Sequence, residues 1–141
     1  YAFTESTDRP FKKDTMKIKS CTHDLMSVLY YCRSYDFSKL KINDTVPISL
    51  AMDNEVSDVY FRYLGKEDLK VKGLGTYKTI KLSVYLVKGS MFDEGEDMKV
   101  YISDDENHIP LYIEAPIIVG SVKARVTKMD GLRNPQTSKI K

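Results

Sequence analysis

From Val46 onward the apolar residues recur at every second position, and this period limits what the chain can fold into. Ile48, Leu50 and Met52 alternate with Ser49 and Ala51, and Val59, Phe61 and Tyr63 alternate with Asp58, Tyr60 and Arg62. Ile80, Leu82, Val84 and Leu86 then face away from Lys81, Ser83 and Tyr85. The same alternation carries Met98, Val100 and Ile102, then Ile109, Leu111 and Ile113, then Ile118, Val122, Ala124 and Val126. Successive side chains of a strand point to opposite faces, so each row predicts a strand with one apolar face. With a short strand at 67–73, about seven strands are expected.

Turn residues separate the rows: Asp53-Asn54-Glu55, Gly73 and Gly75, Lys88 to Asp97, and Asp104-Asp105-Glu106-Asn107. No helical pattern lies between consecutive strands, so a parallel βαβ sheet is not expected. One segment has the 3.6 period: Leu25, Val28, Leu29 and Cys32 share a helix face over about 23–34. Thr22 is the predicted N-cap, Asp24 suits the positive end of the helix dipole and Arg33 the negative end. The expected fold is mainly β (α+β by count): a curved antiparallel meander or half-barrel of about seven or more strands with one packed helix. A single domain is expected over 1–131 and a loose tail over 132–141, with Pro47 marking a strand start or edge.

Twenty-two basic and twenty acidic residues leave a formal charge of +2, without the clustered excess that nucleic acid requires. No run approaches the roughly 20 apolar residues of a membrane-spanning helix. Cys21 and Cys32 would lie roughly 16 Å apart along a helix, too far for a disulfide. Neither a CxxC nor a second His/Cys pair accompanies them, so no metal site is expected. His23 stands near both thiols, but Cys32 sits on the apolar stripe and reads as core.

Two acidic segments invite a functional reading. Asp104 to His108 could chelate calcium or set His108 as a base beside Asp105, yet it lacks the spacing of a calcium loop and reads better as a solvated turn. Asp93, Glu94, Glu96 and Asp97 around Gly95 read as a charged hairpin tip, with Met91 and Phe92 better read as tucked into the open end of the sheet than as an exposed apolar contact. Tyr60, Tyr85, Tyr101 and Tyr112 lie opposite the aliphatic rows on four strands. They stabilise the sheet as cross-strand pairs or line a surface that contacts a partner or ligand. Gly-x-Ser-x-Gly, GxGxxG, P-loop and HExxH motifs are all missing, so neither catalytic residues nor a cofactor are expected.

Several patterns in order carry a resemblance. They are the helix Asp24-Leu25-Met26-Ser27-Val28-Leu29-Tyr30-Tyr31-Cys32-Arg33, the run Gly75-Thr76-Tyr77-Lys78-Thr79-Ile80-Lys81, and Lys99-Val100-Tyr101-Ile102-Ser103-Asp104-Asp105. Ile109-Pro110-Leu111 and Ile118-Val119-Gly120-Ser121-Val122-Lys123-Ala124 follow. Over roughly 20–131 the chain resembles the domain-of-unknown-function 3108 family, exported proteins of Gram-negative envelopes grouped with the lipoprotein-carrier superfamily. Tyr101 stands where that family commonly has Trp, and the strands that usually precede the helix are nearly absent.

The resemblance implies a periplasmic or outer-membrane-associated location and a curved sheet able to cradle lipid. It makes the expected function a non-enzymatic binding or interaction module. Its partner would be a lipid or other apolar ligand, or an envelope protein. The alternatives are an assembly subunit working through its sheet edges and, third, an enzyme using Asp104–His108. Residues 10–20 suggest at most one short strand, and Tyr1 to Phe3 resembles the end of a strand cut short. The sheet is therefore expected to begin near Val46 with an open edge, in a fragment of a longer protein.

Overall fold

Where the period-2 rows begin, the chain enters an antiparallel meander. The computed structural model describes residues 2–6, 9–52, 54–88 and 94–140, with 2–6 and 9–14 as backbone only. Strands β4 (Thr45–Met52), β5 (Glu55–Val71), β6 (Gly75–Leu86), β7 (Gly95–Ser103), β8 (Pro110–Pro116) and β9 (Ser121–Arg125) pair in chain order. A two-residue strand, β3 (Thr22–His23), lies parallel to β4 opposite Ser49 and Leu50, so the seven-stranded sheet is mixed rather than wholly antiparallel. It curls into a half-barrel with one helix, α1 (Leu25–Ser34).

The N-terminal residues differ from expectation. β1 (Ala2–Ser6) and β2 (Arg9–Asp14) form a two-stranded ribbon paired only with itself. Among the described residues, only β3 pairs with the outer side of β4, and it does so at two positions. Among the described residues the expected open edge therefore runs along the rest of β4. Met91 and Phe92 lie outside the described residues.

The helix starts later than its pattern suggests. Thr22 is drawn into the ladder with β4, and its hydroxyl donates to the Lys19 carbonyl at 2.8 Å. Asp24 caps the helix instead, accepting from the Ser27 amide at 2.7 Å. The packed stripe shifts as well. Cys32 is buried and Val28, Tyr31 and Tyr35 pack beside it, whereas Leu25 is exposed. These four keep the i, i+3, i+4, i+7 spacing, moved by one turn toward the C-terminus.

The concave face is aliphatic. Val59, Phe61, Ile80, Leu82, Val100 and Ile102 are all less than 5% exposed and join one core with Cys32 and Phe37. Tyr35 and Phe37 meet Phe61 with ring centroids 5.6 and 6.0 Å away, closing the core from the segment after the helix. Burying one such aromatic stabilises the fold by about 2–3 kcal/mol.

A second, smaller core lies on the opposite face, and a bulge explains it. Tyr63 pairs with Leu82 and Gly65 with Lys81, so β5 carries one extra residue at this point. An inserted residue reverses the side-chain alternation beyond it. Gly65 takes φ +102°, a conformation that other residues resist. The predicted strands at 58–63 and 67–73 are thus one strand whose apolar side changes face at Gly65. Leu69 and Val71 join Tyr77 on the convex side. A second bulge between Tyr101 and Ile102 divides the predicted row Ile109, Leu111, Ile113. Ile109 and Leu111 join the convex cluster, while Ile113 packs on the concave core.

Residues 132–140, expected to form a loose tail, are held against this convex cluster. The Lys78 amide donates to the Ser138 carbonyl and the Ile140 amide to the Thr76 carbonyl, both at 2.8 Å. Lys139 bridges to Tyr77, whose ring is 1% exposed, and its ammonium stands 5.9 Å from the ring centre.

Candidate functional site

The four tyrosines singled out from the sequence reach one face as two pairs. Tyr60 and Tyr85 face each other across β5 and β6 and stack at 5.1 Å with planes 7° apart. Tyr101 and Tyr112 face each other across β7 and β8 at 5.9 Å, and the Lys81 ammonium lies 5.4 Å from the Tyr101 ring. Three of the hydroxyls are bonded within the chain. Tyr60 donates to Glu96 and Tyr85 to Glu94, each at 2.7 Å, and Tyr112 donates to Glu114 at 3.2 Å.

The sequence pattern places Glu96 among the carboxylates of a charged hairpin tip. Glu96 is the hub of the convex face. Its two oxygens accept from Arg62 Nε at 2.7 Å, Arg62 Nη2 at 3.1 Å, Tyr60 and the buried Ser83 hydroxyl. The Arg62 guanidinium, helped by the two hydroxyls, holds the Glu96 carboxyl down to about 2. The bond and charge of Glu96 raise Arg62 in turn.

The second acidic segment is organised as well, with Asp105 and His108 bonded to different partners. Burial raises Asp105, but hydrogen bonds from Ser138, Ser103 and Asn107 outweigh it and hold the carboxyl below its ordinary range. Its oxygens accept from the Ser103 hydroxyl at 2.9 Å, the Asn107 amide at 3.0 Å and the Ser138 hydroxyl at 2.7 Å. His108 bonds elsewhere: its Nδ1 lies 2.9 Å from the Arg33 carbonyl. A carbonyl can only accept, so Nδ1 carries the proton in this pair. Asp104 pairs with Lys66 at 2.9 Å. Among the described residues, no group of three or more His, Cys, Asp or Glu side chains could hold a metal ion.

The thiols have separate surroundings. Cys32 is buried, which pushes its thiol up to about 12, while Cys21 is exposed and both are free. His23 packs on Tyr31 at a ring distance of 5.0 Å.

Three chain segments meet around a cleft of about 620 Å³. The end of α1 supplies Tyr30 and Arg33, the β7–β8 turn supplies Glu106, Asn107 and His108, and the C-terminal segment supplies Arg133 and Asn134. Asn107 joins all three walls. Its carbonyl accepts from Arg33 Nε at 3.1 Å, its Nδ2 donates to the Asn134 carbonyl at 3.0 Å, and its Oδ1 accepts from the Asn134 amide at 3.0 Å. The side chain thereby copies the paired bonding of a β-bridge. Sequence reasoning reached the turn alone. It took Arg33 as a partner of the helix dipole and Asn134 as part of a tail, and no local signal ties either residue to Asn107.

A family model described as "Protein of unknown function (DUF3108)" matches residues 2–127. The chain belongs to this family. No curated protein and no solved structure matches the chain. The match takes in the N-terminal ribbon, two walls of the cleft and all four tyrosines, and it stops before Arg133, Asn134 and Ser138. Among the described residues, no helix is long and apolar enough to cross a membrane.

Proposed function

We propose that the chain is a non-enzymatic binding and interaction module of the Gram-negative cell envelope, located in the periplasm or at the outer membrane. The observation that carries this reading is the cleft at the end of α1, whose three walls are joined through Asn107 by the chain's own hydrogen bonds. A site with its walls held in place avoids the ordering cost that weakens binding. Its volume falls within the range of small-molecule sites, roughly 300–1,000 Å³.

The carrier version, with a lipid or other apolar ligand cradled on the concave sheet, draws less support. Phe61, Ile80, Leu82 and Ile102 are at most 2% exposed, covered by the chain's own side chains. None of the aliphatic rows lines the 620 Å³ cleft.

Two measurements test the proposal. Fractionation of the natural protein in its own cell is expected to place it with the periplasm or outer membrane, and recovery from the cytosol would overturn the location. Native mass spectrometry after gentle purification is expected to find a bound small molecule or partner. A bare monomer under every condition would overturn the binding role.

A second reading, an assembly subunit joined to an envelope protein along a sheet edge, is favoured by β9. All five of its residues are exposed, Val122 presents an apolar side chain on it, and Ile118 and Val119 present two more in the turn just before it. Unprotected edges readily accept another strand. This reading expects a stable complex with no small molecule, and charged residues at Val119 and Val122 are expected to dissolve that complex.

A further inference from the structure

We propose that this cleft is a phosphate-binding site, in which Arg33 and Arg133 together hold the phosphate group of a small ligand or a lipid headgroup. The proposal rests on the reading above, that the chain binds a ligand or partner at the cleft, and adds the chemical class.

Arg33 is half-buried and held on two sides. Its Nε donates to the Asn107 carbonyl at 3.1 Å, and its guanidinium carbon lies 5.6 Å from the centre of the Tyr30 ring. These contacts set the plane of the fork but use one of its five N–H donors. Among the described residues no acceptor engages its Nη atoms, and Arg133 has neither a hydrogen bond nor an ion pair.

The acids lining the cleft do not cancel this. Asp36 Oδ1 accepts from the Ser38 amide and hydroxyl at 3.1 and 2.6 Å, and Oδ2 pairs with Lys39 at 3.3 Å. That leaves two uncommitted guanidinium groups against the single carboxylate of Glu106.

One residue ties together the segments that carry the two arginines. Asn107 holds Arg33 through its carbonyl and holds Asn134, the neighbour of Arg133, through its side chain. Asn107 is therefore a positioning residue. A planar fork matches the oxygens of a carboxylate or phosphate, and a phosphate has enough oxygens and charge to engage two forks where a carboxylate fills one. Tyr30, 65% exposed beside the fork, offers a flat wall for the group that carries the phosphate.

The test is a two-dimensional amide NMR titration of the folded chain at constant ionic strength. The probes are inorganic phosphate, glycerol 3-phosphate and acetate, with sedimentation on phosphatidylcholine vesicles with and without phosphatidic acid. The phosphates are expected to shift the Asn107 and Asn134 amides and the Arg33 Nε–H, with acetate binding more weakly. Arg133→Ala and Arg33→Lys are each expected to weaken phosphate binding about tenfold or more, as for the loss of a charge-assisted bond. Arg133 is exposed, so its replacement leaves the fold intact even if Arg33→Lys disturbs it.

Sedimentation that depends on phosphatidic acid and on both arginines assigns the site to a lipid headgroup. Binding of the soluble phosphates alone assigns it to a soluble ligand. Shifts that are absent, lie outside the cleft, are matched by acetate or are unchanged in Arg133→Ala overturn the site. A natural partner that stays bound to both variants would sink the phosphate site and leave the binding module standing. Phosphate binding without any recoverable natural partner would do the reverse.

Discussion

The two faces of this sheet are held by different forces. On the concave side, aliphatic and aromatic side chains from β4 to β8 and the segment after α1 share one core, where contact is non-directional and scales with buried area. On the convex side, next to a smaller apolar cluster around Val71, Tyr77 and Leu111, charges and hydroxyls meet at two points. Glu96 gathers Tyr60, Arg62 and Ser83, and Asp105 gathers Ser103, Asn107 and Ser138. The concave face is therefore sensitive to lost volume. The convex face is sensitive to single lost partners and to pH.

The largest expected effect tests the concave side. Phe61 is 0% exposed and touches the rings of Tyr35 and Phe37, so Phe61→Ala leaves a cavity that its neighbours cannot fill. Urea unfolding is expected to show a loss of about 3–5 kcal/mol, independent of pH between 3 and 8. A loss below about 1.5 kcal/mol would show that this core is looser than its burial implies.

Glu96→Gln tests the convex side. At pH 7 it is expected to cost about 1.5–3 kcal/mol, because Arg62 and Tyr60 lose a charged acceptor in a partly buried setting. The Glu96 carboxyl is depressed from 4.5 to about 2 in the folded chain, so its contribution is complete above the unfolded value and fades as pH falls through the folded one. The gap between wild type and Glu96→Gln, followed by urea midpoints, is expected to close between about pH 5 and pH 2. A gap constant over that range would show that Glu96 is not held by Arg62.

Ser138→Ala comes next. It removes the donor to Asp105 Oδ2 at a residue that is 1% exposed, for an expected loss of about 1 kcal/mol. Hydrogen exchange is expected to quicken at the Lys78 and Ile140 amides, which lock the C-terminal segment to β6. Unchanged exchange there would mean that the backbone bonds hold the segment without the side chain.

The same contrast explains what could be read in advance. Ile80, Leu82 and Val84 announced their shared face through alternation alone, because burial follows position along the strand. The crossing of Leu69 and Val71 to the other face was hidden, since it depends on one extra residue at Gly65 that only the pairing with Lys81 reveals. Glu96 and Asp105 looked like solvated acids because a hub is made by partners distant in sequence, such as Arg62 and Ser138. The cleft was hidden for the same reason. Arg33 lies 74 residues from Asn107, and Asn134 lies 27 residues from it.

The smallest expected effect sharpens the comparison within the convex face itself. Lys123 and Glu114 form an ion pair at 3.1 Å between β9 and β8, a little longer than the 2.7 Å of Arg62 and Glu96. What separates the pairs is their surroundings. The Lys123 and Glu114 side chains are 58% and 39% exposed, against 29% and 26% for Arg62 and Glu96. Water screens the outer pair, Lys123 gives up the freedom of a long side chain to make the contact, and the hydroxyl beside it, that of Tyr112, is less buried than Ser83 is beside Glu96. Lys123 does hold the Glu114 carboxyl below its usual range, but a shift at so open a site carries little stability. Lys123→Ala is therefore expected to leave the urea midpoint essentially unchanged, with any difference gone in 0.5 M salt. A loss as large as that of Glu96→Gln would mean that charge alone, regardless of burial, holds the convex face.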